Sequence, residues 1–145
     1  LKDEDTYLDK MASGVGVNDE VVAKYNELQK GHKFRYVLYR LSDDLEEVIL
    51  DKVGDRSETW DQFTACLPEN DCRYAIYDFE FRAGDHDTDK ILFVVWAPDS
   101  AKIKSKMLYA STKDAVRKKL PGIGIEVQAT DLSEVDKEAV MSRIQ

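Results

Sequence analysis

The cationic side chains of this acidic chain are concentrated in one stretch. The 145 residues carry a net charge of −8, yet residues 101–120 contain seven Lys or Arg residues and a single acid, Asp114, and so carry +6. A cluster of that sign can bind an anionic surface, such as phosphate groups or an acidic protein. The acidity of the whole chain argues against general nucleic-acid binding. The stretch therefore predicts one anion-binding face on an otherwise acidic protein.

Residue types that support catalysis or metal binding are few. The two histidines, His32 and His86, belong to no nucleophile motif or metal-ligand spacing, so we predict no enzyme activity, no metal site and no cofactor. The Gly-Val-Gly at 14–16 follows no predicted strand and lacks a third glycine, which disfavours a dinucleotide site. Cys66 and Cys72 are too few for a disulfide framework and are interpreted as reduced thiols of a cytosolic protein.

The elements that must position the basic stretch follow from hydrophobic periodicity. A helix is predicted after the N-cap Asn18, a second between Ser57 and Pro68, and a third after the N-cap Asp131. Patterns of β-branched and aromatic residues predict five strands: Lys33–Leu41, Glu46–Val53, Cys72–Phe81, Lys90–Pro98 and Gly124–Thr130. The run ILFVVWA is apolar throughout, which is typical of an inner strand covered on both faces. The order predicts an α/β fold of the α+β type, with a central mixed β-sheet of about five strands flanked by helices.

The basic stretch itself has helical periodicity over residues 103–120 and divides into two faces. One face is an ordinary core stripe of Ser105, Leu108, Tyr109, Thr112, Val116 and Leu120. The other mixes apolar and charged side chains: Ile103, Lys106, Met107, Ala110, Lys113, Asp114 and Arg117. A solvated face has little need of Ile103 and Met107, whereas interfaces favour such mixtures. We expect this helix to dock on an acidic partner.

Three segments carry a resemblance to a known family. DCRYAIYDFEF, WAPDSAKIKSKMLYASTKDAVRKKL and QATDLSEV, taken in this order, strongly resemble the ADF/cofilin family of actin-depolymerising proteins. The likeness extends from Met11 to about Arg143 and implies one ADF-homology domain over residues 11–145. Residues 1–10 are then expected to be a disordered extension or a tag remnant.

The resemblance also implies a function. It indicates a monomeric, cytoplasmic protein of the actin cytoskeleton that binds actin monomers and filament sides, favours ADP-bound actin, and promotes filament severing and depolymerisation. Two alternatives stay open. The basic helix could bind anionic phosphoinositides such as phosphatidylinositol bisphosphate, or the domain could be a related one that binds actin without severing it.

Site residues carried over from the family fall into two surfaces. The monomer-binding surface maps to Ser13, Gly14, Val15, Lys104, Lys106, Met107, Lys113, Asp114, Arg117 and Lys118. The filament-binding surface is less complete, with Thr88 where the family often has Arg. It maps to Lys90 and Arg143, with Arg82 of the neighbouring loop as a replacement cation. Ser13 matches the regulatory phosphorylation site of many relatives, where a phosphate would add about 1.5 to 2 negative charges.

Overall fold

A six-stranded mixed sheet forms the centre of the computed structural model, which describes residues 4–144. Its strands are β1 (Gly16–Val17), β2 (Phe34–Leu41), β3 (Glu47–Asp55), β4 (Arg73–Ala83), β5 (His86–Trp96) and β6 (Ile125–Ala129). The helices are α1 (Glu4–Ser13), α2 (Asp19–Gln29), α3 (Trp60–Thr64), α4 (Ile103–Lys118) and α5 (Lys137–Ile144), with a 3₁₀ turn at Leu132–Val135.

The spatial order of the strands is β1-β3-β2-β4-β5-β6. The four central strands pair antiparallel, whereas β1 joins β3 and β6 joins β5 in parallel. The prediction of a mixed sheet flanked by helices is confirmed. The sixth strand is β1, whose two residues are too short to give a periodic signal.

Helices cover both faces of the sheet and create two hydrophobic clusters. The first lies under α2 and α4 and includes Tyr25, Tyr74 and Phe93. The second lies under α3 and α5 and includes Trp60 and Trp96. Every residue from Ile91 to Trp96 is buried, as expected for an inner strand covered on both sides. Within residues 4–144, no helix is both long enough and apolar enough to cross a bilayer.

Helix starts were predicted with mixed success. Asn18 does cap α2, since its side chain accepts a hydrogen bond from the Glu20 amide at 2.9 Å. The cap of α3 is Thr59 rather than Ser57, which instead donates its hydroxyl to Asp55 at 2.6 Å. Asp131 caps the 3₁₀ turn, and α5 begins only at Lys137.

The N-terminal extension differs from the disordered segment that the sequence suggested. Residues 4–13 form α1, whose Tyr7 and Met11 pack against the first cluster, and Lys10 forms an ion pair with Glu46 at 2.5 Å. Two residues four positions apart lie on one face of a helix, and α1 contacts α4. Residues 1–3 of the expected extension lie outside the described part of the chain.

Candidate functional site

Helix α4 is fixed by its buried face. Ser105, Leu108, Tyr109, Thr112 and Val116 are all buried, which confirms the predicted core stripe. The Tyr109 hydroxyl accepts a hydrogen bond from the Leu41 amide at 2.9 Å, and the Tyr74 hydroxyl donates to the Tyr109 carbonyl. The helix is thus bonded to β2 and β4, and its outer face has a defined orientation.

The outer face of α4 exposes large apolar side chains. Ile103 is 69% exposed and Met107 is 43% exposed. Lys104 and Lys106 are partly buried, and the Lys106 ammonium donates to the Asp99 carbonyl at 3.3 Å. Because exposed isoleucine and methionine lie directly beside cations, this face suits a partner with both apolar and acidic groups.

Two cations of the same face are held by one carboxylate. Glu126 of β6 forms ion pairs with Lys113 at 3.0 Å and with Arg117 at 2.7 Å. Burial by itself would raise the pKa of Glu126, but hydrogen bonds from Gln128, Lys113 and Arg117 outweigh it, and the pKa lies below its usual range. Asp114 and Lys118 are exposed. Sequence reasoning missed Glu126, since a glutamate in a strand carries no signal of which helix it faces.

The N-terminal segment lies beside α4, because α1 and β1 both contact that helix. Ser13 is exposed at the end of α1 and donates its hydroxyl to the Asp9 carbonyl at 2.9 Å. Gly14 has a φ of 91°, a left-handed conformation that ends α1, and Val15 packs against the first cluster. Ser13 is thus the last residue of α1, and Gly14 and Val15 connect α1 to β1, the two elements that contact α4. Their assignment to a monomer-binding surface stays a prediction.

The filament-binding residues that the family resemblance predicts lie in β4, β5 and α5. Arg82 and Lys90 line an open groove of about 600 Å³, which Ile144 of α5 also lines. Arg82 is tied to its own loop, with Asp87 at 3.2 Å and the Asp85 carbonyl at 2.6 Å.

Arg143 is adjacent to this groove but does not line it. Its guanidinium donates to the Glu126 main-chain carbonyl at 2.9 Å. Lys90, Arg82 and the end of α5 are thus near one another. Arg143 is linked through the main chain of Glu126 to the residue that pairs with Lys113 and Arg117 of α4.

Known proteins match this chain in sequence and in fold. The sequence model described as cofilin/tropomyosin-type actin-binding protein matches residues 14–145. Actophorin of Acanthamoeba castellanii is 50% identical over 131 residues, which span 90% of this chain and 95% of the relative. Actin-depolymerizing factor 3 of Zea mays is 48% identical over 132 residues, with the same two coverages.

Solved structures of related proteins have the same fold as this chain. The crystal structure of Streptomyces griseoflavus cofilin has a TM-score of 0.84 at 46% identity and covers 90% of this chain and 96% of its own. Coactosin from Entamoeba histolytica, at 20% identity and a TM-score of 0.77, shares the fold over 91% of this chain and 95% of its own. The family match, the relatives at about half identity and the common fold together confirm the resemblance: the chain belongs to the ADF/cofilin family.

Proposed function

We propose that this protein binds actin monomers and the sides of actin filaments and promotes filament severing and depolymerisation. The observation that carries the proposal is the outer face of α4, where exposed Ile103 and Met107 lie among lysines in an acidic protein. Relatives at 47–50% identity are named actophorin, actin-depolymerizing factor and cofilin. The proposed function is binding and remodelling of a polymer, without catalysis.

The monomer-binding surface comprises the outer face of α4 and the adjacent N-terminal segment. Its residues are Ser13, Gly14, Val15, Lys104, Lys106, Met107, Lys113, Asp114, Arg117 and Lys118. The proximity of α1 and β1 to α4 supports the assignment, as does the exposure of Met107. Lys113 and Arg117 enter the contact from a fixed position, because Glu126 holds both.

The filament-binding surface comprises Lys90, Arg82 and Arg143. It lies around the groove beside α5. The aliphatic part of Lys90 runs along Gly124, where even an added Cβ would lie 3.4 Å from the lysine carbons.

Ser13 is proposed as a regulatory phosphorylation site. Its hydroxyl lies at the C-terminal end of α1, where the helix dipole is negative. A phosphate would be disfavoured there, and it would also repel the acidic partner expected at this surface. The unfavourable helix dipole and the repulsion of the partner would both weaken the contact of this segment with actin.

The remaining proposals concern the domain bounds, the cellular location and the oligomeric state. We propose that residues 11–145 form a single ADF-homology domain preceded by an extension. We further propose that the protein acts in the cytoplasm as part of the actin cytoskeleton, as a monomer that prefers ADP-bound actin.

The decisive experiment combines monomer affinity with microscopy of labelled filaments, in which breaks per unit length are scored. The wild-type protein should bind monomers and increase filament breaks. Lys104→Ala with Lys106→Ala should weaken monomer binding by well over tenfold, because removing one desolvated charge pair from an interface costs about 2 kcal/mol. Neither lysine belongs to the core face, so thermal stability should change little.

Two outcomes would contradict the proposal. Wild-type protein that leaves filaments intact but still binds them would indicate a non-severing domain. If the wild-type protein did not bind actin but co-floated with vesicles that contain phosphatidylinositol bisphosphate, it would be a lipid-binding module. If Lys104→Ala with Lys106→Ala left monomer affinity unchanged, only the assignment of the α4 outer face to the monomer-binding surface would be wrong.

A further inference from the structure

Three potential metal ligands converge at the carboxyl-terminal side of α2. His32, Asp78 and Asp89 each present one ligand atom, and these atoms all lie within 4.8 Å of one another. His32 follows α2, Asp78 is in β4 and Asp89 is in β5. Because 46 residues separate the first two, no sequence spacing could reveal the cluster, which is why a metal site was not predicted.

Asp78 is the buried member of the cluster, with a side chain that is 0% exposed. Its Oδ2 atom accepts a hydrogen bond from Arg56 Nη1 at 2.8 Å and lies 3.2 Å from His32 Nδ1. Its Oδ1 atom has no hydrogen-bond partner, and in the described part of the chain it is the one buried side-chain nitrogen or oxygen in that state. A buried carboxylate oxygen without a donor is costly, so the site calls for a positively charged or protonated species.

Asp89 makes that need stronger. One of its carboxyl oxygens lies within 4.8 Å of a carboxyl oxygen of Asp78. Two carboxylates this close repel each other unless a proton or a cation lies between them. Asp89 and His32 are both exposed, so the cluster opens to solvent and a cation can enter.

His32 is held in an unusual backbone conformation. Its φ is 50°, in the left-handed region that few residues other than glycine adopt. In this conformation the His32 amide still donates to the Leu28 carbonyl at 3.2 Å, while the ring reaches Asp78. A left-handed residue commonly follows the C-terminal end of a helix, and here the His32 ring lies 3.2 Å from Asp78.

We propose that His32, Asp78 and Asp89 form a binding site for one divalent transition-metal ion of the zinc type. Imidazole nitrogen and carboxylate oxygen are both Zn²⁺ ligands in proteins, so these residues would supply three ligands and leave a fourth position open to water. Asp78 would ligate through Oδ1, because Oδ2 is occupied by Arg56.

Surrounding ion pairs support this geometry. Arg56 also contacts Glu80 at 3.3 Å, and Glu80 pairs with Arg35 at 2.7 Å. Through the bond from Arg56 to Oδ2, this network fixes the orientation of the Asp78 carboxylate. Groups that hydrogen-bond a ligating carboxylate usually have this role. The two arginines also balance part of the acidic charge, so the expected affinity is moderate.

The test is isothermal titration of Zn²⁺ into the full chain, with a thermal melt as a second readout. The wild-type protein should bind one Zn²⁺ with a Kd below about 100 µM, weaker than a four-ligand structural site. At about a hundredfold excess over that Kd, zinc should raise Tm by roughly 9 °C.

Two variants at exposed positions avoid the folding risk of changing buried Asp78. Asp89→Asn removes one carboxylate and lets an amide donate to Asp78. His32→Asn removes the imidazole while tolerating the left-handed backbone. Each should weaken zinc binding by about tenfold or more and reduce the Tm shift. His86→Asn, which removes the other histidine, is the matched control and should bind zinc like the wild type.

Two results would overturn the proposal. If the wild-type protein binds no zinc in this range, the two carboxyl groups are held together by a shared proton alone. If His86→Asn loses zinc while His32→Asn and Asp89→Asn retain it, the ion binds the acidic loop around His86. Actin assays do not enter the test, so its result is independent of the proposed function.

Discussion

Ile103 offers the sharpest test of the outer face of α4, through the substitution Ile103→Ala. The substitution removes about three carbon atoms, and each buried CH₂ contributes about 0.8 kcal/mol to the free energy of transfer from water. Because 69% of the side chain is exposed in the free protein, that fraction remains to be buried on binding. The expected loss is about 1.5 kcal/mol, or roughly a tenfold increase in Kd for actin monomers.

The assay is fluorescence titration of labelled actin monomers, paired with thermal unfolding. Ile103→Ala should leave Tm almost unchanged, since the removed atoms contact mainly water. Leu108→Ala, on the buried face of the same helix, is the control, and it should cost about 2 to 5 kcal/mol of stability. A folded Ile103→Ala variant that bound monomers as tightly as the wild type would refute the assignment of this face to the interface.

Three further changes test the remaining parts of the site. Ser13→Glu should weaken monomer binding relative to Ser13→Ala, because it adds negative charge beside an acidic partner. Equal affinities of the two variants would refute the proposal that phosphorylation of Ser13 regulates binding. Glu126→Gln should lower stability at pH 7 by about 1 kcal/mol, the range for partly exposed ion pairs. Because the folded-state pKa of Glu126 is lowered, its contribution is complete above the ordinary pKa and is lost as pH falls through the lowered value. Acid unfolding should therefore show a smaller loss in Glu126→Gln than in the wild type. Lys90→Ala with Arg143→Ala should reduce filament co-sedimentation and severing while sparing monomer affinity, whereas parallel losses would show that the two surfaces are not separable.

The parts of the fold that sequence predicted correctly carry local periodic signals. The core stripe of α4 repeats every three or four residues, and the strand Ile91–Trp96 is apolar on both faces, so each could be identified from its own segment. The family resemblance rested on long blocks in the same order. The exposed Ile103 and Met107 were also predicted, because they interrupt a charged face at helical spacing.

The parts that sequence missed depend on contacts between distant segments. Helix α1 has few apolar residues and is stabilised by packing on α4 rather than by its own pattern. The Glu126 ion pairs cross from β6 to α4, and the His32 cluster joins three elements. None of these follows from spacing along one segment, because each arises only when the sheet has brought the segments together.

The short strand β1 has a consequence for the entropy of association. Gly16 donates its amide to the Glu46 carbonyl at 2.9 Å and Asn18 donates to the Val48 carbonyl at 3.0 Å, so the chain is fastened to the sheet directly after residues 13–15. A free segment would lose about 1 to 2 kcal/mol per residue when binding ordered its backbone. With α1 on one side and β1 on the other, most of that ordering has already occurred during folding. In the proposed contact, residues 13–15 would therefore meet actin as part of a rigid surface, and the loss of chain entropy would oppose folding instead of binding.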